Sequence, residues 1–275
     1  MAIVTGTLPG YAKIRVKDAR GLVLETCHDV LETILGTDTL YSYAAIQPEV
    51  RRFPGRAPVY AISLPDGCGD IVVRHAMRGG ALAGLDTDLF LPPTRGLREL
   101  VNSLRLRLSG VSTPEVVAFV TYRAGPLLRR GDVATREIPN GHDLSRVLSE
   151  IEPGDQRDAC MRAVGLLLRD LARAGAHHPD LNLRNVLVTW DGVEGAKAHV
   201  LDVDRIRFHV PGDPMVARAN RQRLERSIRK WRDSVGSQVT DADTSLLAAE
   251  TPEPAAEVPD PPPDRTPPVD GDTPQ

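Results

Sequence analysis

Two short stretches constrain this chain more than any others: His178 to Val188 reads H-P-D-L-N-L-R-N-V-L-V, and Val200 to Asp204 reads V-L-D-V-D. Asn185 follows Asp180 by five residues, Asp202 follows Asn185 by seventeen, and each polar residue stands beside a short apolar run of strand character. Singly, Asp180 and Asn185 read as turn formers and Asp202 as the end of a strand. In this order and spacing they supply what phosphoryl transfer requires. One carboxylate orients and deprotonates an acceptor hydroxyl; an amide oxygen and a second carboxylate hold Mg²⁺ against nucleotide phosphates.

His178, Asp180, Leu181 and Asn185 resemble the H-R-D-L-x-x-x-N catalytic loop of protein kinases, and Asp202 stands where the metal-binding Asp of D-F-G would stand. Three blocks narrow the resemblance. Asp180-Leu181-Asn182, Asn185-Val186-Leu187 and Leu201-Asp202-Val203-Asp204-Arg205 together resemble the H-x-D-L-N-x-x-N-I-L … L-I-D-F-D-R pattern of bacterial 3-deoxy-D-manno-octulosonic acid (Kdo) kinases and related lipopolysaccharide core kinases. Val73-Arg74-His75 with Arg78-Gly79-Gly80 is similar to that family's L-R-H-Y-R-R-G-G segment. Asn220 to Leu224, with Arg226, Ser227 and Lys230, is similar to its N-x-x-R-L-x-R-S-L-x-K helix. The resemblance covers about residues 50 to 232 and departs at Ala76, in place of Tyr, and Val203, in place of Phe; Asp204 takes the place of the D-F-G glycine, as it does in this family.

The resemblance implies an α+β, two-lobed protein-kinase-like fold that binds ATP and Mg²⁺. Asp180 would accept the hydroxyl proton, Asn185 and Asp202 would hold the metal, and Asp204 would assist. The phosphate-binding Lys of a kinase is missing from its expected strand, since the four lysines are Lys13, Lys17, Lys197 and Lys230. Arg74 stands there instead, and a guanidinium grips phosphates bidentately. Glu99 is its expected partner. Gly55 and Arg56 resemble the family's reduced phosphate-covering loop, and Glu137, Ile138 and Pro139 fall at the lobe connector, where backbone groups of Glu137 and Ile138 would meet the adenine edge. The implied acceptor is Kdo or a neighbouring inner-core sugar on a lipid A precursor, an anionic glycolipid. Two alternatives stay open: a kinase of this fold acting on another small molecule or a protein, and a silent kinase-like scaffold.

Hydrophobic patterning predicts strands at 11–17, 59–64, 71–74, 116–122 and 134–138, and helices at 28–36, 97–108, 155–174 and 217–232. The small lobe is expected over about 1–138 and the large lobe over about 139–235. Residues 236–275 carry nine acids, one base and nine prolines with few large apolar residues, which predicts a disordered acidic tail whose removal costs little stability. The body, residues 1–235, holds 33 basic and 28 acidic residues, and the helix near the motif Asn220 to Lys230 is strongly basic. That balance suits an anionic acceptor or membrane surface, the scattered cysteines suit a reducing cytoplasm, and the resemblance implies peripheral work at the cytoplasmic face of the inner membrane. Nucleic acid is disfavoured because the basic residues are not interleaved with aromatics. No apolar stretch approaches membrane-spanning length, Cys27, Cys68 and Cys160 are too scattered for a zinc site, and nothing speaks to oligomeric state.

Overall fold

The computed structural model describes residues 8–53, 57–75, 95–124, 129–191, 195–235 and 239–250. Strand pairing organises its first half. β1 (Tyr11–Val16) and β2 (Ala19–Leu24) form a hairpin, α1 (His28–Thr37) and α2 (Leu40–Ala45) follow, and β3 (Arg51–Phe53), β4 (Val59–Leu64) and β5 (Gly69–His75) form a meander. After α3 (Arg95–Leu108), β6 (Val116–Arg123) and β7 (Arg129–Arg136) complete an antiparallel sheet in the order β1-β2-β6-β7-β5-β4-β3. Val116 to Val120 are all buried, as a continuous apolar run predicts for a strand covered on both faces. Neighbouring residues of β5 explain the covering: Arg74 meets Glu99 of α3, while His75 stacks on Tyr41 of α2, so the two helices lie on opposite faces. Gly96 lets α3 lie hard against the sheet, because a Cβ there would sit 2.4 Å from the Phe119 ring and 2.9 Å from Val133.

The strand expected at 134–138 lies earlier, at 129–136. The Glu137 N–H still donates to the Asp70 carbonyl of β5, and the chain leaves the ladder beyond it, ahead of Pro139, whose ring restricts the residue before it.

The second half is mainly helical: β8 (His142–Asp143), α4 (Leu144–Glu150), α5 (Asp155–Arg173), β9 (Ala176–His177), β10 (Val186–Thr189), β11 (Lys197–Val200), β12 (Arg207–Phe208), α6 (Pro214–Val235) and α7 (Asp241–Glu250). The strands form two small sheets, β11-β10-β8 and β12-β9. α5 buries Cys160, Val164, Leu167, Leu168 and Leu171, the stripe its helical spacing predicts. It stops ahead of Gly175, at φ +65, where a Cβ would meet the His209 carbonyl oxygen at 2.5 Å; glycine here ends the helix and admits the close approach of the chain after β12.

Two buried apolar clusters result, one around the large sheet and one among α4, α5, α6, α7 and the small sheets. α3 belongs to both, through Leu100 in the first and Leu106 in the second. The second cluster also corrects the expected end of the folded body at residue 235. α7 packs on α5, with Leu247 fully buried and Asp243 paired with Arg157 in the interior. Composition averaged over 236–275 concealed a local signal. Thr240 Oγ1 accepts from the Asp243 N–H at 3.2 Å, and Asp243 Oδ2 accepts from the Thr240 N–H at 2.8 Å, a reciprocal cap that starts the helix.

Candidate active site

The loop between β9 and β10 is built around a fully buried histidine. His178 Nδ1 accepts from the Asp180 N–H at 3.2 Å, so Nε2 carries the ring proton and donates to the Leu201 carbonyl at 3.0 Å. Burial pushes the His178 pKa below its ordinary value, against the opposing pull of the Leu201 carbonyl, Asp202 and Asp180. A neutral ring therefore ties the Asp180 loop to the segment that carries Asp202.

Asp180's carbonyl accepts from Nδ2 of Asn182 and from Nδ2 of Asn185, each at 2.9 Å. Asn182 Oδ1 in turn accepts from the Arg184 N–H at 3.0 Å and caps the 3-10 turn Leu183–Asn185. The Asn185 carbonyl accepts from the Leu201 N–H at 2.9 Å, which seats the Asp202 segment directly beside Asn185. Asp202 itself is left-handed, φ 55 and ψ 49, a conformation that Asp tolerates better than most side chains, and it turns the chain from β11 into the 3-10 turn Val203–Arg205.

Arg74 reaches this group from the small lobe. Its guanidinium pairs with the buried Glu99, and the charge of Glu99 raises the Arg74 pKa against the cost of burial, with Asp202 and Asp204 adding to the rise. The fold thus places Arg74, Glu99, Asp202 and Asp204 within one electrostatic neighbourhood. The next residue holds the strand in register: His75 Nδ1 lies 2.8 Å from Oδ1 of the fully buried Asp132, whose Oδ2 accepts from the Tyr41 N–H at 3.0 Å. α3 is fastened at its other end as well. Asn102 Nδ2 donates to the Val203 carbonyl at 2.7 Å, and the Arg105 guanidinium lies 3.7 Å over the Phe208 ring centroid. Glu99, Asn102 and Arg105 recur every three residues along one side of the helix, so one face joins Arg74 to the segment after Asp202.

At the connector, Glu137's carboxylate is gripped by Arg51 of β3 at 2.7 Å and its N–H donates to the Asp70 carbonyl, while Ile138 is half-buried beside it. Gly55 and Arg56 lie outside the described residues. What sequence reading passed over is the role of α6. Asn220 is fully buried: its Oδ1 accepts from the His178 N–H at 3.0 Å and its Nδ2 donates to the Ala176 carbonyl at 2.9 Å. Arg223 donates to the Pro179 carbonyl and to Asp180 Oδ1, and Ser227 Oγ accepts from the Leu183 N–H at 3.3 Å. The spacing 220, 223, 227 was the available signal, since it puts all three on one helix face.

The donors present fit a magnesium nucleotide. Asn185's Nδ2 is engaged with backbone, which reserves its Oδ1 as an acceptor, and with Asp202 and Asp204 it makes the hard oxygen set that suits Mg²⁺. Residues 56–249 match the family model described as lipopolysaccharide kinase (Kdo/WaaP). The chain is 29% identical over 180 residues to the 3-deoxy-D-manno-octulosonic acid kinase of Vibrio cholerae serotype O1, covering 64% of this chain and 72% of that one. It is 29% identical over 198 residues to the enzyme of the same name from Actinobacillus succinogenes, covering 70% and 80%. A solved structure of WaaP in complex with acyl carrier protein superposes with a TM-score of 0.50 at 18% identity, covering 78% of this chain and 83% of that one, and shares the fold. With the catalytic loop, the Arg74–Glu99 pair and the α6 clamp all falling inside the matched span, the chain belongs to the lipopolysaccharide kinase (Kdo/WaaP) family.

Proposed function

We propose that this lipopolysaccharide kinase transfers a phosphoryl group from ATP to a hydroxyl of Kdo, or of a neighbouring inner-core sugar, on a lipid A precursor. The observation that carries the reading is the joining of Asp180, Asn185, Asp202 and Arg74 through His178 and α3, a constellation suited to positioning and charge stabilisation. Asp180 accepts the proton of the sugar hydroxyl. Arg74, oriented by Glu99, holds the phosphates. Asn185, Asp202 and Asp204 hold Mg²⁺, which when bound offsets the negative charge of the nucleotide. The relatives that carry the Kdo kinase name support this choice of acceptor.

Work at the inner membrane surface accords with exposed Arg218, Arg226, Arg229, Lys230 and Arg232 on α6 and with the exposed side chains of Val210 and Met215 just before and within it. Among the described residues, no helix is long and apolar enough to cross a membrane. ATP turnover measured with and without Kdo-lipid A tests the function: acceptor-dependent ADP release with phosphate on the sugar is expected, and turnover indifferent to Kdo-lipid A overturns the acceptor. Co-flotation with anionic vesicles, released by 1 M salt, tests the surface; flotation that ignores salt contradicts a charge-based attachment.

A further inference from the structure

α6 touches the catalytic loop at three points, and they are not equivalent. Asn220 and Ser227 hold backbone N–H groups, those of His178 and Leu183. Arg223, between them, also reaches the side chain read as the proton acceptor: its Nη2 lies 2.9 Å from Asp180 Oδ1, while its Nε donates to the Pro179 carbonyl at 3.2 Å. The helix that carries it is seated by the fully buried Leu224 and by Ile228, so the position of Arg223 is set by packing rather than by its own ion pair.

Magnitudes indicate what the pair does. The Arg223 and Asp180 side chains are 35% and 41% exposed, and ion pairs at that exposure contribute little to stability. For geometry the contact matters more. A carboxylate on a loop turns about its last torsion, which is broad and two-fold. A charged donor fixed on one oxygen sets the plane of the group and directs the other oxygen to the substrate, and misplacement by about 1 Å at such a centre costs about 10²-fold in rate.

We propose that Arg223 is a positioning residue for Asp180, fixing Oδ1 so that Oδ2 takes the acceptor proton. The inference rests on the kinase reading above. In the step, the acceptor O–H proton moves to Asp180 Oδ2 as the acceptor oxygen bonds to the γ-phosphorus of ATP and the bond from that phosphorus to the bridging oxygen breaks, leaving ADP. Asp180 is then neutral.

The test is a double-mutant cycle on the full chain with Mg-ATP and Kdo-lipid A. Arg223→Ala is expected to lower kcat about 10²-fold, with KM for ATP changed less than about threefold and the melting temperature within about 3 °C. Arg223→Lys should recover about tenfold of that loss, because it restores a charged donor without the fork. The deciding arm places Arg223→Ala in an Asp180→Asn background. If Arg223 acts through Asp180, the second substitution adds less than about threefold to the first. Losses that multiply, an unchanged kcat in Arg223→Ala, or a kcat loss matched by unfolding each overturn the proposal. Substantial activity in Asp180→Asn alone sinks the assignment of the base instead, which keeps the two failures apart.

Discussion

Asp202 and Asp180 are both carboxylates beside one histidine, yet their backbones hold them differently. Asp180 sits in a loop fixed by three hydrogen-bonded neighbours, whereas Asp202 is held left-handed at a strand end, next to the Arg74 side of the cleft. Asp202→Ala should therefore abolish Mg²⁺-dependent ATP binding, and an unchanged Mg-ATP affinity in a calorimetric titration would remove Asp202 from the metal set. The order and spacing of Asp180, Asn185 and Asp202 stand out in the chain because they are local: Asp180 and Asn185 lie in one loop, and Asp202 follows the end of β11. Arg74 stands out through a gap, the missing lysine. Asn220 and Arg223 were visible as a motif but not as a function, since their partners lie more than 40 residues upstream and only the folded helix face brings them to the loop.

Helices with a strong apolar stripe and strands with a full patterned run, such as β1, β4 and β6, could be read from the chain; the shortest strands could not. α3, α5 and α6 follow their leucine and isoleucine spacing, whereas the three residues of β3 and the two each of β8, β9 and β12 carry too little pattern to announce themselves. α7 was lost for another reason, because proline-rich surroundings outweighed a ten-residue helix. Its anchor makes its removal costly. Asp243 receives Arg157 Nε at 3.0 Å and Nη2 at 2.7 Å, and both side chains are almost wholly buried. Breaking one partner of such a pair typically costs about 3–5 kcal/mol, because the other charge is left in the interior. Asp243→Ala, or truncation after residue 235, should thus lower the denaturant midpoint substantially, while the joint change Arg157→Met and Asp243→Leu should restore most of it. A truncated chain as stable as the full one would mean that α7 is not part of the folded body.

Across the whole molecule, three histidines resist protonation. Burial lowers the His177 and His178 pKa values and pushes His199 down to about 4, with Lys197 adding to the last. Each folded value is below the unfolded one, near 6.5, so the unfolded chain binds more protons as pH falls. The stability these neutral rings contribute is fully present above pH 6.5 and is lost progressively toward pH 4. The melting temperature should fall across that window, and the fall should be shallower in His199→Gln; an identical slope in the variant would exclude His199 as a source. Acid should also reach the active site, since protonating His178 removes the acceptor for the Asp180 N–H.

Because α3 places Leu100 in one apolar cluster and Leu106 in the other, neither half of the protein owns that helix. Loss of either cluster strips α3 of part of its buried surface and so weakens its hold on the remaining one. The thermodynamic consequence is cooperativity: in scanning calorimetry the protein should unfold in one transition, with the calorimetric enthalpy matching the van't Hoff enthalpy. Leu106→Ala, which loosens α3 from the second cluster alone, should split that single peak toward two.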